Sequence, residues 1–200
     1  MPLILEGIVT SLNPGGELNI APMGPIVDEN LTHFTFRPFQ SSQTYRNLKQ
    51  SPSGVFHVVD DVYLLAQAAI DRWREVPATQ PAHVVAGNVL TSACRWYEFE
   101  VVEFDDQAPR SNIVVRIVHV GRLRDFWGLN RAKHAVLEAA ILATRIHLLT
   151  RQELQHEFER LQIIVAKTAG PRELLAFELL QSYVSESLSD PTFASAERER

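Results

Sequence analysis

The feature that most constrains this chain is a change in hydrophobic period near residue 125. Before it, short β-branched and aromatic runs are separated by turn signals. Leu3 to Ser11 ends at Asn13-Pro14-Gly15-Gly16, and Leu18 to Met23 follows at hairpin distance. Leu31 to Phe36, Gly54 to Val59, Trp96 to Phe104 and Asn112 to Gly121 complete six expected strands, with His83 to Leu90 a further candidate. In the last of the six, Ile113, Val115 and Ile117 share a face, the period-two pattern of a half-buried strand. One helix is expected between the fourth and fifth strands, capped by Asp60 or Asp61 and carrying Val62, Leu65, Ala66, Ala69 and Trp73 at helical spacing.

After Gly128 the repeat is helical. Leu129, Ala132, Val136, Ala140 and Ala143 form a stripe of small apolar residues, suited to close packing against a barrel or a second subunit. Leu154, Phe158, Leu161 and Val165 form a second stripe. Leu174, Phe177, Leu180 and Val184 form a third, entered through Gly170-Pro171, where Gly suits a helix end and Pro a helix start. Strands followed by a run of helices is the α+β order, not βαβ alternation. The expectation is a mainly antiparallel six-stranded barrel over residues 1–125 and a three-helix extension over 126–188, packed on the barrel or on a dimer partner. A polar, flexible tail is expected over 189–200.

Of the 200 residues, 46% are hydrophobic and 22% charged, enough to build a core and unlike a disordered chain. A formal net charge of −5 argues against a general nucleic-acid binder, though it leaves room for a local basic pocket. The single cysteine, Cys94, excludes an intramolecular disulfide and a Cys-rich zinc site. The opening Met1 to Glu6 has no basic n-region and so does not read as a secretory signal. The apolar stretch from Ala135 to Leu149 is broken by Glu138, Arg145 and His147, so it is no membrane span. The expected location is the cytoplasm, with no membrane partner.

Two segments could carry chemistry. Arg37-Pro38-Phe39-Gln40-Ser41-Ser42-Gln43-Thr44-Tyr45-Arg46-Asn47 leaves a strand with two guanidinium groups, three aliphatic hydroxyls and several amides. A phosphate monoester suits such a set, because Arg offers a forked permanent charge and Ser, Thr and backbone N–H groups offer short neutral bonds. The alternative is a polar connecting loop in which Ser or Thr caps a helical turn. Neither GxGxxG nor GxxxxGK[ST] occurs. In the second segment, Asn19-Ile20-Ala21-Pro22-Met23-Gly24, Pro22 lacks an N–H and Gly24 permits close backbone approach. A planar ring could lie there, or the strand could simply break.

Taken together, "NIAPMG" and "RPFQSSQTYRN" about twenty residues later resemble the FMN-binding split-barrel superfamily of flavin reductases and pyridoxamine-phosphate oxidases. The closer likeness is to domain-of-unknown-function family 447, whose "GLNRAKHAVLEAAILATR"-like helix is matched by Gly128 to Arg145. The resemblance implies a split barrel with FMN as cofactor, its phosphate held by the loop after the third strand and its ring near the second. It makes Arg37, Ser42, Thr44, Arg46 and Asn47 the phosphate candidates, and Ala21, Met23 and Gly24 the candidates for backbone contact with the ring. It also implies a homodimer. Asn130 and Arg131, at the start of the first C-terminal helix, are further cofactor candidates because a helix N-terminus favours anions; the alternative is solvation.

The seven histidines (33, 57, 83, 119, 134, 147 and 156) lie far apart with no HxxxH pair, so no metal site is expected. No GxSxG elbow accompanies Ser41 or Ser42, and no catalytic residue is assigned. The expected function is a flavin-dependent oxidoreductase of the flavin-reductase kind, in which the cofactor carries the electrons. A flavin-binding sensor or carrier without turnover, and a barrel binding a deazaflavin or another phosphate-bearing ligand, stay open. Substrate and electron donor are not legible.

Overall fold

The computed structural model describes residues 2–190, and these form two compact units. One comprises the chain up to Asp60 together with Glu75–Phe126; the other comprises Asp61–Arg74 together with the chain from Trp127 onward. Most of the tail expected to be flexible, from residue 191 on, lies outside the described residues.

The first unit is built on an antiparallel sheet. Its strands are β1 (Leu3–Ile4), β2 (Gly7–Leu12), β3 (Leu18–Met23), β4 (Ile26–Val27), β5 (His33–Phe36), β6 (Ser53–Val58), β9 (Arg95–Asp105) and β10 (Asn112–Arg122). The remaining two, β7 (Thr79–Pro81) and β8 (Asn88–Leu90), form a separate two-stranded ribbon. The sheet order is β1-β4-β5-β10-β9-β6-β2-β3.

Eight strands therefore stand where six were expected, for two local reasons. The run from Leu3 to Ser11 is interrupted at Leu5–Glu6, and after Pro25, whose ring cannot donate to a ladder, Ile26–Val27 resumes pairing. Both halves keep one register, from Leu3↔Val27 through Gly7↔Met23 to Leu12↔Leu18. The Leu5 N–H also donates to Pro25 O at 3.1 Å, so the two edges of the sheet meet and the sheet curls upon itself.

The inner face is aromatic. Phe34, Phe36, Phe56, Tyr97, Phe99, Ile113 and Val115 pack in one cluster. The Phe34 and Phe56 rings meet edge to face at 5.5 Å. Each fully buried Phe contributes roughly 2–3 kcal/mol by the apolar surface it removes from water.

The segment 37–47, expected as one loop, is only in part a loop. Within it starts α1 (Gln43–Gln50), whose N-cap Ser42 accepts a hydrogen bond from Tyr45 N. The alternative of a helical turn capped by Ser is the one realised.

The second unit is helical: α2 (Val62–Ile70), α3 (Arg131–Thr144), α4 (Arg151–Thr168) and α5 (Pro171–Ser189). Asp61 caps α2, and Thr150 with Glu153 closes a capping box on α4. α3 packs on α2, α4 and α5, with Ala132, Ala135, Ala139, Ala140 and Ala143 buried. Its alanine stripe thus serves close packing among helices of the same unit, including one that lies between β6 and β7 in sequence. No helix among the described residues is long and apolar enough to cross a membrane.

Candidate functional site

The loop after β5 is strapped to the tip of the long β9–β10 hairpin. Gln40 N donates to Pro109 O at 3.3 Å, and Gln40 Nε2 to Asp106 O and Ala108 O at 2.6 and 2.7 Å. Ser111 Oγ donates to Pro38 O at 2.9 Å. Tyr45 Oη and Lys49 Nζ both donate to Asp106 Oδ2, at 2.8 and 2.7 Å. The Lys49 ammonium, with Tyr45 beside it, holds the Asp106 carboxyl below its ordinary range. These bonds fix where the residues between Arg37 and Arg46 sit.

On its other side α1 is locked by neutral polar groups. Asn47 is 1% exposed; its Nδ2 donates to Ser11 Oγ and Asn13 Oδ1, both at 3.0 Å, and its Oδ1 accepts from Gln43 Nε2 at 2.8 Å. Thr44 is 2% exposed, and its Oγ1 accepts from Asn19 Nδ2 at 3.1 Å. Thr44 and Asn47, both phosphate candidates by sequence, thus face inward and tie α1 to the β2–β3 hairpin. The helical period decides this: residues 44, 45, 47 and 48 form the buried face.

The outward members of the set are different. Ser41 and Arg46 are exposed, and Ser42 is half-buried. Arg46 donates from Nη1 to Ser41 O at 3.0 Å and from Nη2 to Gln43 Oε1 at 2.8 Å, lying across the start of the helix. The first turn of α1 holds no acidic residue. Arg37 is half-buried, and its Nε is a buried donor with no hydrogen-bond partner. A buried unpaired donor costs about 1–3 kcal/mol, so this nitrogen marks a place where an acceptor is favoured.

Ala21, Met23 and Gly24 lie along or just beyond β3, an edge strand with no sheet neighbour on its outer side. Its backbone groups on that side are available to a ligand. Met23 turns its side chain into the barrel core. Gly24 makes room for a neighbour, since a Cβ there would stand 2.7 Å from Glu6 Oε1. Asn130 and Arg131 belong to the helical unit. Asn130 caps α3 by accepting from Lys133 N at 3.1 Å and donates to Thr168 O at 3.1 Å, whereas Arg131 is exposed.

Two features had no signal in the sequence. A cavity of about 400 Å³ opens at the end of the β9–β10 hairpin remote from its tip, walled by Leu31, Val58 and Tyr97, with Arg95 and Arg124 on its border. Cys94 also lines it; burial and the nearby Asp60 push its thiol up, so it stays protonated. The second feature is a convergence of His83, Glu98 and His119, residues far apart in the chain. No spacing rule finds either feature, because strand pairing assembles both.

Comparison with known proteins follows the same division of the chain. The solved structures of similar fold include the FMN-bound protein MM1853 from Methanosarcina mazei, at 21% identity and a TM-score of 0.78, with 92% of this chain and 96% of that one covered. An FMN-binding protein from Thermus thermophilus with bound 1-cyclohex-2-enone superposes at a TM-score of 0.52 and 17% identity, over 62% of this chain and 72% of its own. Flavoredoxin of Desulfovibrio vulgaris does so at 0.52 and 11%, over 60% and 69%. At these identities the likeness is one of fold. No curated protein matches the sequence. Residues 5–124 match the N-terminal domain of the protein of unknown function DUF447, and residues 130–182 match the remaining DUF447 domain. This chain belongs to the DUF447 family.

Proposed function

We propose that this protein binds FMN and uses it as a flavin-dependent oxidoreductase. The observation that carries the reading is the partnerless buried Nε of Arg37, in the same loop as exposed Ser41 and Arg46 and a helix start without acidic residues. A phosphate monoester carries nearly two negative charges at neutral pH and accepts several short bonds, so this donor set suits it. The fold shared with FMN-bound and FMN-binding proteins supports the same reading.

In it, Arg37, Ser42 and Arg46 hold the phosphate, while Thr44 and Asn47 position α1 from behind. The open edge of β3, at Ala21, Met23 and Gly24, meets the ring through backbone groups. Bound FMN supplies hydride or electron transfer, and the chain supplies orientation and exclusion of water. The cavity of about 400 Å³ is within the range of small-molecule sites and suits the organic part of a substrate, with Arg95 at its border for an anionic group. A homodimer accords with the exposed apolar edge strand β1, where Leu3 is 64% and Ile4 44% exposed; light scattering tests it.

The deciding experiment titrates FMN and riboflavin against wild type, Arg37→Ala and Arg46→Ala by flavin fluorescence. Losing a charge-assisted bond weakens FMN binding about ten- to hundredfold and riboflavin binding much less, because riboflavin lacks the phosphate. Equal losses for both ligands would assign the arginines to the fold or the ring. Anaerobic bleaching of the bound flavin by NADH or NADPH, followed by reoxidation with an added acceptor, separates an enzyme from a binding module.

A further inference from the structure

We propose that His83 and His119, with the Glu98 carboxylate between them, bind a divalent transition-metal ion of the zinc class. This site stands on the outer face of the curled sheet and does not depend on the flavin reading.

The argument begins with the alternation of β9. Tyr97 and Phe99 point into the barrel core, so Trp96 and Glu98 point outward, where the ribbon β7–β8 and the loop between its strands cover them. Glu98 is fully buried there, and its carboxylate draws donors from that loop. Oε1 accepts from His83 N at 2.8 Å and Trp96 Nε1 at 3.1 Å. Oε2 accepts from Val84 N at 2.6 Å and Val85 N at 3.1 Å. It is a buried carboxylate whose hydrogen-bonded neighbours His83 N, Val84 N, Val85 N and Trp96 Nε1 are neutral N–H dipoles. Such a group attracts a cation.

Two imidazoles stand beside it. His83 is placed by its own backbone bond to Glu98. His119 arrives by a bulge: β10 turns Ile113, Val115 and Ile117 inward, and strict alternation would turn residue 119 inward as well. The register shifts between Ile117 and His119, so that His119 pairs across from Glu98 on the outer face. Bulges that re-aim one side chain are a recurring device beside functional groups.

The His83 and His119 rings lie 4.8 Å apart, and the ligand atoms of all three residues lie within 4.8 Å of one another. Zinc–nitrogen bonds are about 2.0–2.1 Å, so a bound ion draws the set together by a modest rotation of the exposed His83 ring. With both lone-pair directions of each oxygen already in use, Glu98 gives up the long Trp96 Nε1 bond to enter the coordination sphere. Two imidazoles and one carboxylate suit zinc, nickel or copper, and leave a position for water. Occupied, the site clamps the ribbon loop to the β9–β10 hairpin.

The test uses the full chain, stripped with chelator, and zinc alone by calorimetry. Nickel follows by tryptophan fluorescence, since the Trp96 ring lies 5.5 Å from His83. Expected results are one ion per chain, a higher Tm with zinc, and quenching by nickel. His83→Ala and His119→Ala each weaken binding at least about tenfold and abolish the quenching, while exposed His156→Ala changes neither. Absence of binding by wild type, or His83→Ala binding as tightly as wild type, overturns the proposal. Because His83 is exposed, that variant keeps the test valid even if His119→Ala, which is half-buried, fails to fold.

Discussion

Two regions of the barrel unit bury polar side chains, and they do so in opposite ways. Behind α1, the groups Ser11, Asn13, Asn19, Thr44 and Asn47 are all neutral, and they satisfy one another directly. Beneath the β7–β8 ribbon, the buried groups are titratable: Glu98 is ionised, and His57 is held neutral. His57 is completely buried; its Nε2 accepts from Leu90 N and its Nδ1–H donates to Ile8 O, both at 3.1 Å. The backbone donor at Nε2 fixes the tautomer, and burial pushes the pKa to about 4. A neutral network holds α1 and the loop before it in place at any ordinary pH, whereas a titratable one makes its region depend on protons.

The sharpest way to break this contrast is Glu98→Ala. It leaves three loop N–H groups and an indole N–H without their acceptor, and should cost about 3 kcal/mol or more in denaturant unfolding. A loss below about 1 kcal/mol would mean that water or a loop shift replaces the carboxylate.

Acid comes next. The folded pKa of His57 lies below the ordinary 6.5, so the unfolded chain takes up a proton before the folded one does. The contribution is fully present above about pH 6.5 and is lost as pH falls toward 4, roughly 3 kcal/mol in all. Glu98 acts in the same direction in a lower window, since its stabilisation is lost only as pH falls below its ordinary value of 4.5. Stability measured from pH 7 to 4 in wild type and His57→Gln should differ in slope. Equal slopes would remove His57 from the account.

The smallest expected effect is at the neutral network. Asn47→Ala should cost about 1–3 kcal/mol with no change of slope between pH 7 and 5, and should weaken FMN binding without touching the phosphate. Unchanged FMN affinity in Asn47→Ala would remove Asn47 from the support of this loop.

Much of the barrel was legible because alternation and turn chemistry are local. Ile113, Val115 and Ile117 read as one face, and Asn13-Pro14-Gly15-Gly16 as a turn, without knowing what they pack on. The three C-terminal helices were legible for the same reason, since Gly170-Pro171 and the apolar stripes need no tertiary partner to be recognised. The strand count was not. A break at Leu5–Glu6 and a resumption after Pro25 depend on whether the two sheet edges meet, which only curling decides.

The candidate site divides along the same line. The donor-rich segment from Arg37 to Asn47 could be found from residue types alone, because guanidinium and hydroxyl groups in one loop carry their chemistry with them. Which of them face outward was settled by α1: a helix sends 44 and 47 to one side and 46 to the other, and β2 and β3 supply the groups that Asn47 and Thr44 meet. His83, Glu98 and His119 carry no spacing signal, since a loop, two paired strands and a bulge bring them together. The sequence determined the elements and the inventory of donors and charges, whose physics is local. Tertiary structure decided which of those groups are buried, paired or exposed, because burial and pairing depend on residues distant in the chain.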